Sequence, residues 1–264
     1  MRDTIIWNDH DLAILERAFN KQLVVLVKRV PTFAKPTRKY DVYEIVGASG
    51  KIYDEQYAWN EISRQYAIFF ANIDNASEYN EIVRGLTKWV YSAQQVDTIT
   101  NRMLLTNKGY SPLVDSFEGE QFVRLARVDT FEAVEKGRTH IDATVNFICR
   151  PELFYADGFT LTDISSGDEL TNPSQYIANP FIRISGSGSG SLVIGDTTIT
   201  ISEIGTTLYI DSDMKDCFDA NLANRNSYVT FSNKEFPVLD ASNTTITFSG
   251  GITDVKIAPR WWTL

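Results

Sequence analysis

The sharpest alternation of apolar and polar positions lies between Thr139 and Cys149. Ile141, Ala143, Val145, Phe147 and Cys149 share one face of an extended strand, and His140, Asp142, Thr144, Asn146 and Ile148 share the other. One face turned in and one mostly out predicts an antiparallel sheet. The run Gln121 to Val134 is its hairpin partner, across Glu135-Lys136-Gly137-Arg138. In that partner the apolar parity slips, from Val123 and Leu125 to Phe131 and Ala133 by way of Ala126 and Val128. The slip predicts a β-bulge near the middle of the strand. Arg150-Pro151 is expected to end the hairpin.

Upstream, Ile5-Ile6-Trp7 and Leu23 to Val27 read as short strands around a polar stretch with a helical turn at Asp11 to Phe19. Arg29 to Lys39 shows no period and contains Pro31 and Pro36, so it reads as a loop. Its cations, with Lys28, Arg29, Lys35, Arg38 and Lys39 close together, fit a solvated loop or a subunit-contact arm better than an anion site. From Tyr40 the texture is β: Val42, Ile45 and Val46, a turn at Gly47 to Gly50, then Lys51 to Trp59 and Ile62 to Ala71. One helix follows. Asn75 or Ser77 caps it, Glu78 and Glu81 fill its first turn, and Ile82, Leu86, Trp89 and Val90 form one apolar face. A single such face among strands predicts a helix packed on a sheet.

Residues Thr162 to Pro180 are dense in turn signals: Ser165-Ser166-Gly167, Asn172-Pro173 and Asn179-Pro180. We expect an inter-domain boundary within 158–180, dividing the chain into 1–158 and 159–264. The second part shows short Thr-rich strands at Phe181–Ile184, Leu192–Ile194, Thr197–Ile201, Thr206–Ile210, Tyr228–Phe231, Thr244–Phe248 and Thr253–Ile257. The Ser-Gly run Ser185 to Ser191 is expected to be a flexible hairpin tip. The predicted fold is mainly β: an N-terminal sandwich or barrel-like domain with one packed helix and a long hairpin, then a C-terminal β-sandwich.

Composition sharpens the division. The chain carries 34 acids and 25 bases, a net charge of −9, unevenly spread. Residues 1–150 hold 20 acids and 19 bases and residues 151–264 hold 14 and 6, giving −1 and −8. That balance argues against a phosphate-binding surface, which needs clustered Lys and Arg to displace counterions, so no specific nucleic-acid binding is expected. An apolar content of 43% is enough for a core. Cys149 and Cys217 sit in strand-like stretches without metal-type spacing and read as buried, reduced side chains. Met1-Arg2-Asp3-Thr4 leads into a mixed segment and no apolar run nears ~20 residues, so synthesis in a cytoplasm and no membrane insertion are expected.

Catalytic chemistry is not written in the residues. His10 and His140 belong to no nucleophile motif. Asp211-Ser212-Asp213 opens like a calcium loop, but Asp216 stands where glycine is needed and Leu222 where a glutamate is needed. Glu118 and Glu120 read as exposed carboxylates. We expect no catalytic residue, no cofactor and no metal. Trp7, Trp59 and Trp89 fit core or helix-face positions. Trp261 and Trp262 cannot both face one core in an extended strand, so one is expected inward and the other against a neighbouring domain or subunit. With Tyr209 and Tyr228 they are the candidate contact residues. If exposed, the four would equally suit a carbohydrate-binding sandwich, the main rival reading; a tail-associated hydrolase is the other.

The order of these parts resembles the distal tail (Dit) proteins of siphophages over nearly the whole chain. The resembling segments are YDVYEIVGASGKIYDEQYAWNEISRQYAIFFAN (40–72), SEYNEIVRGLTKWVYS (77–92), FVRLARVDTFEAVEKGRTHIDATVNFICRPELFYADG (122–158) and NPFIRISGSGSGSLVIG (179–195), with the stretch from LYIDSDMKDC to APRWWTL (208–264). Residues 1–40 match the pattern least. The resemblance implies a virion structural protein that forms a homohexameric ring at the distal end of a long non-contractile bacteriophage tail. In that family the ring meets the tail tube protein on one side and the tail-associated hub protein on the other. A galectin-like or carbohydrate-module-like C-terminal domain faces outward, towards receptor-binding or baseplate proteins. The resemblance makes Tyr40–Ala71 and Gln121–Cys149 ring-building elements, and it implies that DNA passes the ring without sticking.

Overall fold

The computed structural model describes residues 5–7, 10–11, 24–27, 34–47, 49–71, 73–91, 96–119, 121–135 and 139–264. The helical turn expected at Asp11–Phe19, the cations Lys28 and Arg29, Glu120 and the hairpin tip 136–138 fall wholly or mainly outside them. Among the described residues the protein is mainly β, with one long helix.

The first sheet follows from the alternating runs. Its strands are β1 (Ile5–Trp7), β2 (His10–Asp11), β3 (Val24–Val27), β6 (Ile62–Ala71), β7 (Ser111–Asp115), β8 (Phe122–Glu135) and β9 (His140–Tyr155), in the antiparallel order β2-β1-β7-β8-β9-β6-β3. Ile141, Ala143, Val145, Phe147 and Cys149 are all buried, as their spacing predicts. Helix α1 (Ala76–Val90) starts at Asn75, whose side chain accepts the backbone N–H groups of Ser77 and Glu78. Its Ile82, Leu86, Trp89 and Val90 enter the same core as Trp7, Tyr66, Phe70 and Phe147. The Trp7 indole donates to the Val90 carbonyl at 3.0 Å, satisfying one of the carbonyls a helix end leaves free.

The bulge is present, and there are two. Val128 faces Phe147 and Thr130 faces Asn146, so Asp129 is the extra residue that shifts the apolar parity of β8. The second is on β9: Arg124 faces Leu153 and Ala126 faces Cys149, so Arg150, Pro151 and Glu152 stand against Leu125 alone. It corrects the expectation that Arg150-Pro151 ends the hairpin: β9 continues to Tyr155. Proline is tolerated because it lies within that bulge of β9, outside the regular ladder, and because the pairing with β6 stops at Cys149.

The second sheet comprises β10 (Thr162–Ile164), β11 (Glu169–Thr171), β12 (Phe181–Ile194), β13 (Thr197–Ile201), β14 (Thr207–Asp211), β15 (Asp216–Asp219), β16 (Val229–Phe231) and β17 (Asn243–Ala258). Strands β10 and β11 were not expected in the turn-rich joint, nor β15 beyond Asp211. The Ser-Gly run is likewise not a hairpin tip. It is the middle of one 14-residue strand, paired with β17 from end to end through two irregularities, while β14 and β13 take the first and last parts of its other edge. Glycine is required there for close approach: a Cβ on Gly251 would lie 1.8 Å from the Ser187 carbonyl oxygen, and one on Gly186 would lie 2.1 Å from that of Gly251. Ile182 and Ile184 from one end share a core with Leu192 and Ile194 from the other, so the long strands fold over a single interior.

Candidate assembly surface and inter-sheet joint

Two regions stand out: a projecting ribbon and the joint between the sheets. Strands β4 (Arg38–Glu44) and β5 (Lys51–Trp59) pair only with each other among the described residues. The basic segment is therefore not loop throughout; Arg38 and Lys39 open β4. Arg38 is fixed by its guanidinium lying 4.1 Å over the Trp59 ring and by a 2.5 Å ion pair to Glu55. The turn between the strands uses Gly47 and Gly50, both at positive φ. The register puts Tyr40, Val42 and Tyr53 on one face and Tyr43 and Ile52 on the other.

Both faces are open. Seven of the ten large apolar side chains exposed among the described residues belong to this ribbon or its turn: Tyr40, Val42, Tyr43, Ile45, Val46, Ile52 and Tyr53. Tyr53 is 63% exposed and Val46 fully so. Asp41 stands directly opposite Asp54, a like-charge cross-strand pair that disfavours the isolated ribbon. Two strands alone are marginal in water, and concentrated exposed apolar side chains mark an interaction surface.

The joint is built differently. After β17 the chain turns at Arg260 and adds β18 (Trp262–Thr263) antiparallel to β9 of the first sheet. Arg260 is buried, with a 2.7 Å ion pair to buried Asp211 and donations to the carbonyls of Met103 and Arg102 at 3.0 and 2.7 Å. Those carbonyls end helix α2 (Ile99–Met103). Around this centre, Arg102 pairs with Asp216 at 2.9 Å, and Asp213 meets Lys108 at 2.5 Å and Arg150 at 3.8 Å. Burial favours the neutral form of Asp213, but the Arg150 and Lys108 charges outweigh it and hold the carboxyl below its usual range. Asp211 accepts the backbone N–H groups of Asp213 and Met214, so the calcium-like motif serves a turn and a buried ion pair. Among the described residues no group of His, Cys, Asp and Glu stands ready to hold a metal.

The four candidate contact residues are not brought together. Trp261 is buried in the second core. Trp262 is half-buried, stacks on Tyr176 with ring centroids 4.4 Å apart, and donates its indole N–H to the Ile177 carbonyl. Tyr209 is buried, stacked on Phe218 beside Phe181, and so lacks the exposure that the carbohydrate-binding reading requires of it. Tyr228 lies under the Arg225 guanidinium. A groove of about 880 Å³ does run between the ribbon base and the joint, lined by Arg38, Trp59, Tyr110, Arg150, Tyr176 and Trp262. Arg38 covers one face of Trp59, and Tyr176 and Trp262 cover each other, so these rings do not form an open stacking platform. Sequence reasoning missed Arg260, Arg102 and the apolar ribbon faces; the only signal was that Arg260 lies between Pro259 and two tryptophans.

Glu118, expected to be exposed, pairs instead with Arg124 at 2.6 Å and Arg64 at 3.3 Å. His140 packs its ring against Phe69. No described helix is long and apolar enough to cross a membrane.

No protein-family model and no curated protein matches the chain. Solved structures do. The chain is similar over 100% of its length, and 100% of the other's, to the SPP1 Dit protein, described as a paradigm of the hub adsorption apparatus in phages that infect Gram-positive bacteria; identity is 14% and the TM-score 0.67. It is also similar to a chain of the phage P2 baseplate in its activated conformation with calcium, at 8% identity and a TM-score of 0.53 over 97% of both chains. The same baseplate with strontium gives 8% and 0.51, over 97% of this chain and 96% of that one. The chain has the fold of a phage Dit protein along its whole length, and shares it over 97% of that length with a chain of a phage baseplate.

Proposed function

We propose that this protein is a structural component of a siphophage virion, a distal tail protein. It forms a homohexameric ring that joins the tail tube protein to the tail-associated hub protein and the host-adsorption apparatus. The single observation that carries the assembly role is the β4–β5 ribbon, two strands with apolar side chains open on both faces. Within a ring the neighbouring copy covers these faces and completes what the isolated hairpin lacks. The whole-length likeness in fold to SPP1 Dit supports placing that ring in a phage tail.

On this reading residues 1–158 build the ring, and residues 159–264, a galectin-like sandwich carrying most of the negative charge, lie at its periphery towards baseplate or receptor-binding proteins. The protein is made in the host cytoplasm and works at the distal end of the tail. It catalyses nothing, and DNA passes the ring without specific binding.

The test is Tyr43→Glu with Ile52→Lys, exposed side chains on one ribbon face, followed by sedimentation velocity. The expected result is loss of the assembled species with the thermal midpoint of the subunit unchanged. Undiminished assembly would remove the ribbon from the interface.

A further inference from the structure

Modules of one chain ordinarily move relative to one another unless the interface between them is large and apolar. Here the segment after β17 opposes that. Arg260 adopts a left-handed backbone conformation, φ 55°, which a branched or bulky L-residue rarely takes without compensation. The compensation is on both sides of the joint. Its backbone N–H donates to the Gly158 carbonyl at 2.7 Å, and Gly158 has no room for a side chain because a Cβ there would meet the Trp261 backbone nitrogen at 2.8 Å. Its guanidinium joins Asp211 of β14 to the C-terminal carbonyls of α2, using its fork of donors on two elements at once. Trp261 then enters the second core, its carbonyl accepting the Tyr155 N–H, and Trp262 adds a strand position to the first sheet.

We propose that residues 258–263 form a strap, with Arg260 as its positioning residue, that locks the second sheet onto the first so that the two move and unfold as one body. The partly exposed pairs Arg102–Asp216 and Lys108–Asp213 are secondary; pairs of that kind hold weakly and are screened by salt. The buried Arg260–Asp211 pair cannot be opened without leaving an unpaired charge and two unpaired carbonyls, which makes it the determining contact. A ring built from the first sheet would then hold the second at a fixed angle and transmit load on it directly to the ring. The lock itself does not depend on ring formation.

The experiment uses the full chain, spin-labelled through Glu132→Cys on β8 and Asp196→Cys in the turn between β12 and β13, two exposed positions belonging to different sheets. Calorimetry on the unlabelled chain should show one transition, and the labelled chain a narrow distance distribution. Arg260→Met leaves Asp211 unpaired and could unfold the second sheet by itself, so the decisive variant is Asp211→Asn with Arg260→Met. Its side-chain oxygen still serves the Asp213 and Met214 N–H groups. In that variant the strap account expects two separable transitions and a distribution broadened about twofold. Arg260→Lys, which keeps the charge but not the fork, should fall between the two. Arg225→Met, which breaks the Arg225–Asp219 pair away from the joint, should leave both readouts unchanged. A single transition with an unbroadened distribution in the double variant would overturn the proposal, as would a broad distribution in the unmodified protein.

Discussion

Arg64 Nη2 lies 2.6 Å from Asp115 Oδ2, with both side chains only 2% exposed beneath the first sheet. Tyr66 donates its hydroxyl to the same carboxylate, and Glu118 and Arg124 extend the network. Burial first, then the Asp115 charge, pushes the Tyr66 phenol well above its ordinary range. Removing one partner leaves a buried charge without compensation, so Arg64→Met should destabilise the protein by about 3–5 kcal/mol in urea unfolding. Arg64→Met with Asp115→Leu should recover part of that loss. Equal destabilisation by the single and double variants would show that the pairing is not what the site depends on.

The glycines of β12 and β17 should separate into two classes. Gly251→Ala forces a Cβ into the Ser187 carbonyl and should cost about 3 kcal/mol or more. Gly188 is at φ 66° with open space where a Cβ would stand, so Gly188→Ala should cost only about 1–2 kcal/mol of backbone strain. Chemical denaturation of both variants makes the comparison; similar losses would contradict the close-approach account.

Burial raises the thiols of Cys149 and Cys217 to about 12. At pH 8 the folded protein should therefore react with a thiol reagent only through unfolding, while both groups label at once in denaturant. Because the folded pKa is raised, the linked stability is full below the unfolded value near 8.5 and is lost as the pH climbs from there through about 12. Rapid labelling of the native protein would contradict the burial of either thiol.

Asp213 works in the opposite sense. Its folded pKa is lowered, so its contribution to the joint is present above the unfolded value of about 3.9 and is lost as the pH falls through the folded value. Asp213→Asn should cost about 1 kcal/mol at neutral pH and flatten the acid limb of a stability-against-pH curve below about 4. An unchanged acid limb would mean that the Lys108 and Arg150 pairs contribute nothing to folding.

Much of the first sheet was legible because burial on one face imposes a strict period of two, as at Ile141 to Cys149. The helix was legible for the same reason at period 3.6, with Asn75 as a local cap that depends on no distant contact. Pro151 and the Ser-Gly run misled because their usual meanings are local, whereas their roles here are set by the strand each pairs with: β8, against which β9 bulges at Pro151, and the glycines of β17. The site was less legible still. Nothing around Arg260 announces that its partners are Asp211, forty-nine residues away, and the carbonyls ending α2. Tyr209 reads as an exposed strand aromatic until Phe181 and Phe218 close over it. The ribbon's strands were readable, but one strand's alternation cannot show that both faces lack a cover within the subunit.

The central claim, that this chain is a ring-forming tail subunit, is tested most directly by the mass and symmetry of the purified protein. Native mass measurement with negative-stain class averages should show closed six-fold rings of roughly 180 kDa, from six copies of the 29.8 kDa chain. A strictly monomeric protein that also fails to assemble with tail-tube or hub proteins would contradict it.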